Sequence, residues 1–268
     1  VGAGNLLGAF EFEKDAGRKP ASELVAKAPP DGYTFLLTSP TIAISPSLFT
    51  KLGYDTFRDF TPISQIATVP NVLVVHPSIP ARSLTELVKL ARAHPGKLNF
   101  GSGGIGSGSQ LGSELFKSIG KIQMVHVPYK GAAIAMTAML GGEVDMVTST
   151  VPATIPHVNA GRIRALAVMA PTRADALPKV PTTAESGMPD LVVITWYGLF
   201  APAGVKPDVI ERMNGEVVKL MNAPDTKAKL AQVGLDAATS TPAEFAKFVR
   251  VEADRWARVI RHANIKPQ

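Results

Sequence analysis

The chain of 268 residues is long enough to bury a sizeable core, and its composition, 46% hydrophobic and 19% charged, is typical of a folded protein. It contains no cysteine, which excludes thiolate metal sites and cysteine catalysis. Its net charge of +6 comes from scattered basic residues, so we do not expect nucleic acid as a partner. No apolar run approaches the roughly 20 residues of a membrane span and Val1 does not begin a signal peptide, so we expect a soluble chain.

Strand and helix patterns alternate along the chain, which favours an α/β fold with parallel sheets. The helix that follows Ser83 has a capping box with Glu86, and a second box, Thr241 with Glu244, starts a last helix predicted over 242–262. Further strands are predicted at 31–39, 67–78, 97–102, 122–127, 143–149 and 162–170, and further helices at 110–119, 131–142, 152–161, 207–222 and 224–233.

Residues 101–109, here called the glycine loop, are rich in glycine and serine and lie between a predicted strand and a predicted helix. The first N–H groups of a helix lack intrahelical partners and lie at the positive end of its dipole, so this position favours an anion. Uncharged hydroxyls and amides suit a small carboxylate better than a pyrophosphate. The alternative is that the glycines only allow close packing of strand and helix.

A second reading of the same loop is a nucleotide site, because Gly101, Gly103 and Gly106 match the pattern G-x-G-x-x-G. That fingerprint also needs an acidic residue at the end of the next strand, and residues 125–131 contain no carboxylate. No lysine follows the glycines, so a phosphate-binding P-loop is not indicated. A dinucleotide-binding enzyme therefore remains only as an alternative hypothesis.

A search for catalytic or metal-binding groups finds no convincing constellation. The five histidines are not at metal-ligand spacing, and no G-x-S-x-G elbow is present. Trp256 falls on an apolar helix face and is predicted to be core, whereas Trp196, at an irregular strand junction, suits either the core or a ligand site. We therefore expect no enzymatic activity, no cofactor and no metal.

An ordered series of motifs makes the chain recognisable. The series comprises "APPDGYTFLL" (28–37), "TSPTIAISPSLF" (38–49), "LNFGSGGIGSGSQL" (98–111), "VPYKGAA" (127–133), "LGGEVDMV" (140–147), residues 160–187 and "WYGLFAPAGVKP" (196–207). Over about residues 25–268 the chain closely resembles the tripartite tricarboxylate transporter receptors, which are periplasmic solute-binding proteins of the Bug (Bordetella uptake gene) type. It departs from the family in residues 1–19, which are too short for the family's first strand, glycine loop and helix; "VGAGNLLGAF" is interpreted as a remnant of that loop and helix.

The resemblance implies a type II periplasmic-binding-protein fold, in which two α/β lobes enclose a ligand cleft. It implies chain crossovers near residues 100 and 195, so that lobe one comprises residues 1–100 and 196–268 and lobe two comprises residues 101–195. Lobe closure on the ligand is expected, with the crossovers as hinges.

The resemblance also implies a function and a set of ligand residues. The protein is expected to be a periplasmic monomer that captures an organic carboxylate and delivers it to the integral-membrane permease of a tripartite transporter; the alternative with the same fold is a ligand sensor for a signalling partner. Because the cleft loops offer no acidic side chain, we expect a ligand without an amine, either a dicarboxylate or an aromatic acid. The predicted ligand residues are Ser39, Pro40, Thr41, Ser102, Gly103, Gly106 and Ser107, with Tyr129, Ser149 and Trp196 as weaker candidates for the cleft wall.

Overall fold

The computed structural model describes residues 20–267, and the predicted remnant of the first family loop lies outside them. The helices are α1 (Pro20–Ala26), α2 (Thr41–Leu48), α3 (Leu84–Ala93), α4 (Gly108–Gly120), α5 (Ala132–Leu140), α6 (Val151–Asn159), α7 (Pro207–Asn222), α8 (Pro224–Gln232) and α9 (Pro242–His262). The strands are β1 (Leu36–Thr38), β2 (Phe60–Val75), β3 (Asn99–Ser102), β4 (Val125–Pro128), β5 (Met146–Thr150), β6 (Arg164–Val168), β7 (Ile194–Pro202) and β8 (Asp236–Ala237). No helix in this part of the chain is both long and apolar enough to cross a membrane.

The two predicted helix starts are confirmed, with one difference in detail. Before α9, the Thr241 hydroxyl accepts from the Glu244 N–H and the Glu244 carboxylate accepts from the Thr241 N–H, which completes the capping box. Before α3, the Ser83 hydroxyl accepts from the Glu86 N–H at 3.2 Å, but the Glu86 carboxylate accepts from the N–H of Arg82 instead. Both helices therefore begin where a side chain satisfies an N–H group that the helix itself leaves unpaired.

The long strand β2 belongs to two sheets. Its residues 60–70 pair antiparallel with β7, which also pairs with β1, and its residues 71–75 pair antiparallel with β5 and β6. Among the strands named above, parallel pairing is confined to β3, which lies between β4 and β5, and one isolated parallel bridge joins Val168 to Thr182. The prediction of parallel sheets was therefore right for the part of the second sheet that carries the glycine loop and wrong for the rest, because β2 and β7 run antiparallel to their neighbours.

The chain changes from one sheet to the other at two adjacent places. The first change falls between Pro70 and Asn71 of β2, and the second falls just before Ile194, the residue of β7 that lies opposite Pro70. The lobe boundaries predicted from the resemblance lie near residues 100 and 195, and residue 100 itself is in β3, an inner strand of the second sheet. The division of the chain into lobes stays a prediction.

Helix α9 packs on the apolar cores of both sheets. Near its start, Phe245 and Val249 lie in one buried cluster with residues of the first sheet, and towards its end Trp256 and Ile260 lie in a second cluster with Phe116 of α4. The two sheets are thus joined by the β2–β7 pair and by α9, which packs against both of them.

Candidate functional site

Three parallel strands of the second sheet end at one edge, and a helix begins after each of them. Helix α4 begins at Gly108 after β3, α5 at Ala132 after β4, and α6 at Val151 after β5. Because the positive ends of helix dipoles meet at such an edge, it attracts anions, and α/β proteins bind ligands beyond the carboxyl ends of their strands. The predicted glycine loop lies at this edge, between β3 and α4.

Ser107 organises the start of α4. It is the N-cap residue: its hydroxyl accepts from the Gln110 N–H at 3.3 Å, donates to the Gly104 carbonyl at 2.7 Å and lies 3.1 Å from the Ser109 hydroxyl. The N–H groups of Gly108 and Ser109, in the first turn, have no hydrogen-bonding partner among residues 20–267. Ser107 and Ser109 are partly exposed and Gly108 is exposed, so these donors are open to an acceptor from outside.

Four other N–H groups of the glycine loop, those of Gly103, Gly104, Gly106 and Ser107, are bonded within the loop or to Gln110. The Gly103 N–H donates to the Ser109 hydroxyl at 3.0 Å, and the Gly106 N–H donates to the Gln110 side-chain carbonyl at 2.6 Å. Gly103 and Gly106 are both predicted ligand residues. In the structure their N–H groups hold the loop in shape, and the open donors, Gly108 and Ser109, lie two and three residues after Gly106.

Ser102 is fully buried and its hydroxyl is bound to a histidine. The distance from its Oγ to Nε2 of His126 is 2.6 Å, the Nδ1 of that ring lies 3.3 Å from the side-chain nitrogen of Gln110, and the ring stacks on Phe100 at 4.9 Å between centroids. Burial, together with the ammonium group of Lys117, lowers the pKa of His126 from 6.5 to about 4. The ring is therefore neutral at neutral pH, and the Ser102 hydroxyl is not available to a ligand.

The partly buried His126 predicts a pH dependence of stability. In the unfolded chain His126 takes up a proton near pH 6.5, but in the folded protein it does so only near pH 4, so the unfolded state binds more protons between these values. The free energy of unfolding should therefore fall by about 2 kcal/mol from this group as the pH drops from 7.5 to 4.5. Urea unfolding of the His126→Gln variant at both pH values should show a correspondingly smaller loss. The exposed His94 gives the control, since His94→Gln should keep the full pH dependence of the unsubstituted protein. An equal loss in both variants would contradict the prediction.

The lobe-one residues predicted for the site lie at the start of α2. The hydroxyls of Ser39 and Thr41 are 3.1 Å apart, and Pro40, in the N-cap position, provides no side-chain cap. All three are partly exposed. The glycine loop touches the other end of the same helix, because Gly106 lies directly against Leu48. Helix α2 therefore connects the two groups of predicted ligand residues.

Trp196 belongs to the core. Its side chain is 1% exposed, packs edge-on against Phe245 and Phe248 at 5.6 Å, and donates its N–H to the Glu252 carboxylate at 3.3 Å. The proposal that Trp196 lines the cleft is therefore withdrawn, since no part of the ring is available to a ligand. The core role predicted for Trp256 is confirmed: it is 2% exposed and donates to the same Glu252 oxygen at 3.0 Å.

The two remaining candidates differ in position. Ser149 lies near the carboxyl end of β5, opposite Val72, and is partly exposed, so it stays a candidate for the cleft wall. The Tyr129 hydroxyl donates to Glu143 at 3.4 Å. Glu143 precedes β5 whereas Ser149 lies near its carboxyl end, so these two candidates are associated with opposite ends of that strand, and Tyr129 stays a prediction for the cleft wall.

The roles of three polar residues that support the site were not predicted from the sequence. Gln110 and His126 hold the glycine loop from behind, and Asn71 holds the crossing between the sheets by donating its side-chain N–H groups to the Val193 carbonyl at 3.1 Å and the Thr195 hydroxyl at 3.0 Å. A sequence signal existed for Asn71, an amide directly before the apolar run "VLVV". In residues 20–267 no group of three metal-ligating side chains is placed to hold an ion.

Comparison with known proteins relates the chain to bacterial solute-binding proteins. It is 33% identical over 253 residues to protein BugT of Bordetella pertussis, covering 94% of this chain and 78% of BugT. It is similar to the structure of R. palustris Rpa4515 with adipate, with 35% identity, a TM-score of 0.84, and coverage of 92% of this chain and 83% of that one. It is also similar to MatC (Rpa3494) of Rhodopseudomonas palustris with bound malate, with 29% identity, a TM-score of 0.78, and coverage of 90% and 84%.

A family model agrees with these similarities. The model of the tripartite tricarboxylate transporter family receptor matches residues 10–265, which is nearly the whole chain and includes both sheets and the glycine loop. The family and the fold class expected from the sequence motifs are thereby confirmed. The chain belongs to the tripartite tricarboxylate transporter receptor family, whose structurally similar members include Bug-type periplasmic binding proteins.

Proposed function

We propose that this protein is a periplasmic receptor that binds an organic dicarboxylate reversibly and delivers it to the membrane permease of a tripartite transporter. The observation that carries the proposal is the open start of α4, where the N–H groups of Gly108 and Ser109 lack partners among residues 20–267 beside the Ser107 hydroxyl. Such donors at the positive end of a helix suit a carboxylate. Two solved structures similar to this chain, Rpa4515 and MatC, are described with adipate and with bound malate, and both of these acids are dicarboxylates.

In this proposal the two lobes hold different ends of the ligand. One carboxylate accepts from the start of α4, with Ser149 as a further candidate on the same edge, and the Ser39 and Thr41 hydroxyls serve the other end from the start of α2. All of these groups are neutral. A receptor must release what it binds, and neutral donors avoid the strong pairing of a buried carboxylate with a buried arginine.

The lack of charge in these loops also favours a ligand without an amine. Residues 38–41, 101–109 and 148–154 contain no charged side chain. A buried ammonium group without a counter-charge costs at least several kcal/mol, so an amino acid is disfavoured relative to a simple dicarboxylate. Adipate and malate, which are named with the two similar structures, have no amine either.

Calorimetry with the purified protein tests the proposal. Titration with adipate, malate and succinate should show binding of at least one acid, and a bound acid should raise the melting temperature. Aspartate, glutamate and nucleotides should bind at least tenfold more weakly, and the bound acid should be recovered unchanged after long incubation. Turnover of the acid, or binding of nucleotides alone, would refute the proposal.

A pair of N-cap variants separates binding from stability. Ser107 and Ser83 both cap a helix by accepting from the N–H three residues later, at 3.3 and 3.2 Å. Both Ser107→Ala and Ser83→Ala should therefore lower the free energy of unfolding by about 1 kcal/mol. Only Ser107→Ala should weaken the binding of the acid, by about tenfold, because the Ser107 hydroxyl lies at the proposed site. Equal affinities in the two variants would remove Ser107 from the site.

Delivery to a permease is tested in cells. Deletion of the permease genes should abolish uptake of the labelled acid while leaving the receptor and its affinity intact. If uptake continues and a transcriptional response to the acid is lost on deleting the receptor gene instead, the protein is a ligand sensor.

A further inference from the structure

We infer that Gln110 and His126 are positioning residues, which hold the glycine loop in the shape that presents its open donors to a carboxylate. Neither residue belongs to the donor set proposed above, and both contact that loop from inside the second lobe. The inference rests on the proposed function for its ligand, but its structural part concerns the ligand-free protein.

The hydrogen bonds of the Gln110 side chain have a defined direction. Its Oε1 accepts from the Gly106 N–H at 2.6 Å, so its side-chain nitrogen is the group that faces Nδ1 of His126 at 3.3 Å. An amide nitrogen can only donate, so Nδ1 must accept and the ring proton is on Nε2. From there it points to the Ser102 hydroxyl at 2.6 Å.

This chain of hydrogen bonds returns to the glycine loop through Ser102. The Ser102 Oγ lies 3.2 Å from both the N–H and the carbonyl of Gly104. Two glycines with positive φ, Gly104 at 124° and Gly106 at 80°, are therefore held from one side by a connected set of side chains. Gln110 and Ser102 are 4% and 0% exposed, so water does not compete for these bonds.

The hydrogen bonds around His126 admit only a neutral imidazole. A proton on Nδ1 of His126 would face the donor nitrogen of Gln110, and turning that amide round would take its acceptor away from the Gly106 N–H. Among the described residues, the charged group that acts on the ring is Lys117 of α4, whose ammonium also lies over the Phe100 ring and pairs with Glu114 at 2.8 Å. The pair Gln110 and His126 thus works as a fixed donor–acceptor link.

The contact between Gln110 and His126 also determines which N–H groups of the loop are open to a ligand. With Gly104 and Gly106 held from behind, Ser107 is fixed by its bond to the Gly104 carbonyl, and the N–H groups of Gly108 and Ser109 are left to face outward. A loop that is free to turn its inner N–H groups towards the cleft would lose this arrangement and would have to be ordered at the moment of binding, which weakens affinity.

Affinity and hydrogen exchange together test the inference. Gln110→Met has a side chain of similar length without the acceptor, and the exposed Gln123, in the turn after α4, gives the matched control Gln123→Met. In the ligand-free protein, the Gly106 amide of Gln110→Met should exchange at least tenfold faster by NMR, whereas Gln123→Met should leave it unchanged. The dissociation constant for adipate or malate, whichever binds the unsubstituted protein more tightly, should rise at least tenfold in Gln110→Met alone.

A second pair of variants separates the hydrogen bond from packing. His126→Gln can still donate to the Ser102 hydroxyl and should bind within about threefold of the unsubstituted protein, whereas His126→Leu should bind at least tenfold more weakly. Circular dichroism melting of each variant establishes that it is folded. Folded Gln110→Met with unchanged affinity, or His126→Gln as weak as His126→Leu, overturns the inference. Failure of the unsubstituted protein to bind any acid would refute the proposed function, and Gly106 exchange alone would then decide whether the pair orders the loop.

Discussion

Replacing Gly106 by alanine is expected to lower the free energy of unfolding by about 3 kcal/mol and to weaken binding of the acid at least tenfold. A Cβ atom at this position would lie 2.4 Å from Cδ1 of Leu48, and the backbone has a φ of 80°, which costs alanine about 1 kcal/mol by itself. The 2% exposed Leu48 cannot move away without disturbing the core, so overpacking adds a further 1–3 kcal/mol or so. Urea unfolding and calorimetry measure the two effects.

The chain offers a control that isolates the contact from the backbone conformation. Gly187 has a φ of 85°, but nothing lies within 4 Å of the Cβ that alanine would add. Gly187→Ala should therefore cost only about 1 kcal/mol and leave binding unchanged. In a double-mutant cycle, Leu48→Ala should cost less in the presence of Gly106→Ala than alone, because it removes the atom in collision. If Gly106→Ala lowers the free energy of unfolding no more than Gly187→Ala does, the close contact between Gly106 and Leu48 of α2 contributes nothing to the cost.

Replacing Glu252 by leucine is expected to destabilise the protein by about 4 kcal/mol. The 6% exposed carboxylate accepts from the indole N–H groups of Trp196 and Trp256 and from Arg255, whose guanidinium also donates to the Val192 carbonyl. Loss of the carboxylate leaves two buried indole donors without a partner and the arginine without its counter-charge, and each of these carries a desolvation penalty.

Two further variants identify the cause. Glu252→Gln keeps a side-chain acceptor for the indoles and should cost roughly half as much as the leucine substitution. Glu216→Leu replaces an exposed glutamate of α7 and should change the free energy of unfolding by about 0.5 kcal/mol or less. Urea unfolding followed by far-ultraviolet circular dichroism avoids interference from the tryptophans themselves. Equal effects at positions 252 and 216 would show that the buried carboxylate contributes little.

The parts of the fold that were predicted correctly have local causes. Helix α9 was predicted over its full length because its capping box and its apolar stripe are both patterns of residues close together in the sequence. Helix α2 was missed because Pro46 lies inside it, and the first part of β2, residues 60–66, was missed because Pro62 lies within it. Both elements form because tertiary packing outweighs the local preference against proline.

In the candidate site too, features with local causes were predicted and features that depend on distant residues were not. The glycine loop was located from the sequence, since a glycine-rich turn between a strand and a helix is a local pattern. The burial of Trp196 depends on Phe245 and Phe248 of α9, and the role of Gln110, which lies in α4, depends on His126 of β4. Such long-range partners produce no periodic pattern in the sequence. Neither the burial of Trp196 nor the role of Gln110 could therefore be predicted before the fold was known.

The sharing of β2 and α9 between the sheets limits how the protein can be divided. A fragment cut at the two crossings, residues 71–193, would keep β3, β4, β5 and the glycine loop but would lose Trp256 and Ile260 from its core. The remainder would have to rejoin residues 70 and 194 and would expose those same side chains to water. For recombinant work, neither lobe is a usable truncation on its own, and reporter domains or affinity tags are better placed at the chain ends or in surface turns than between the sheets.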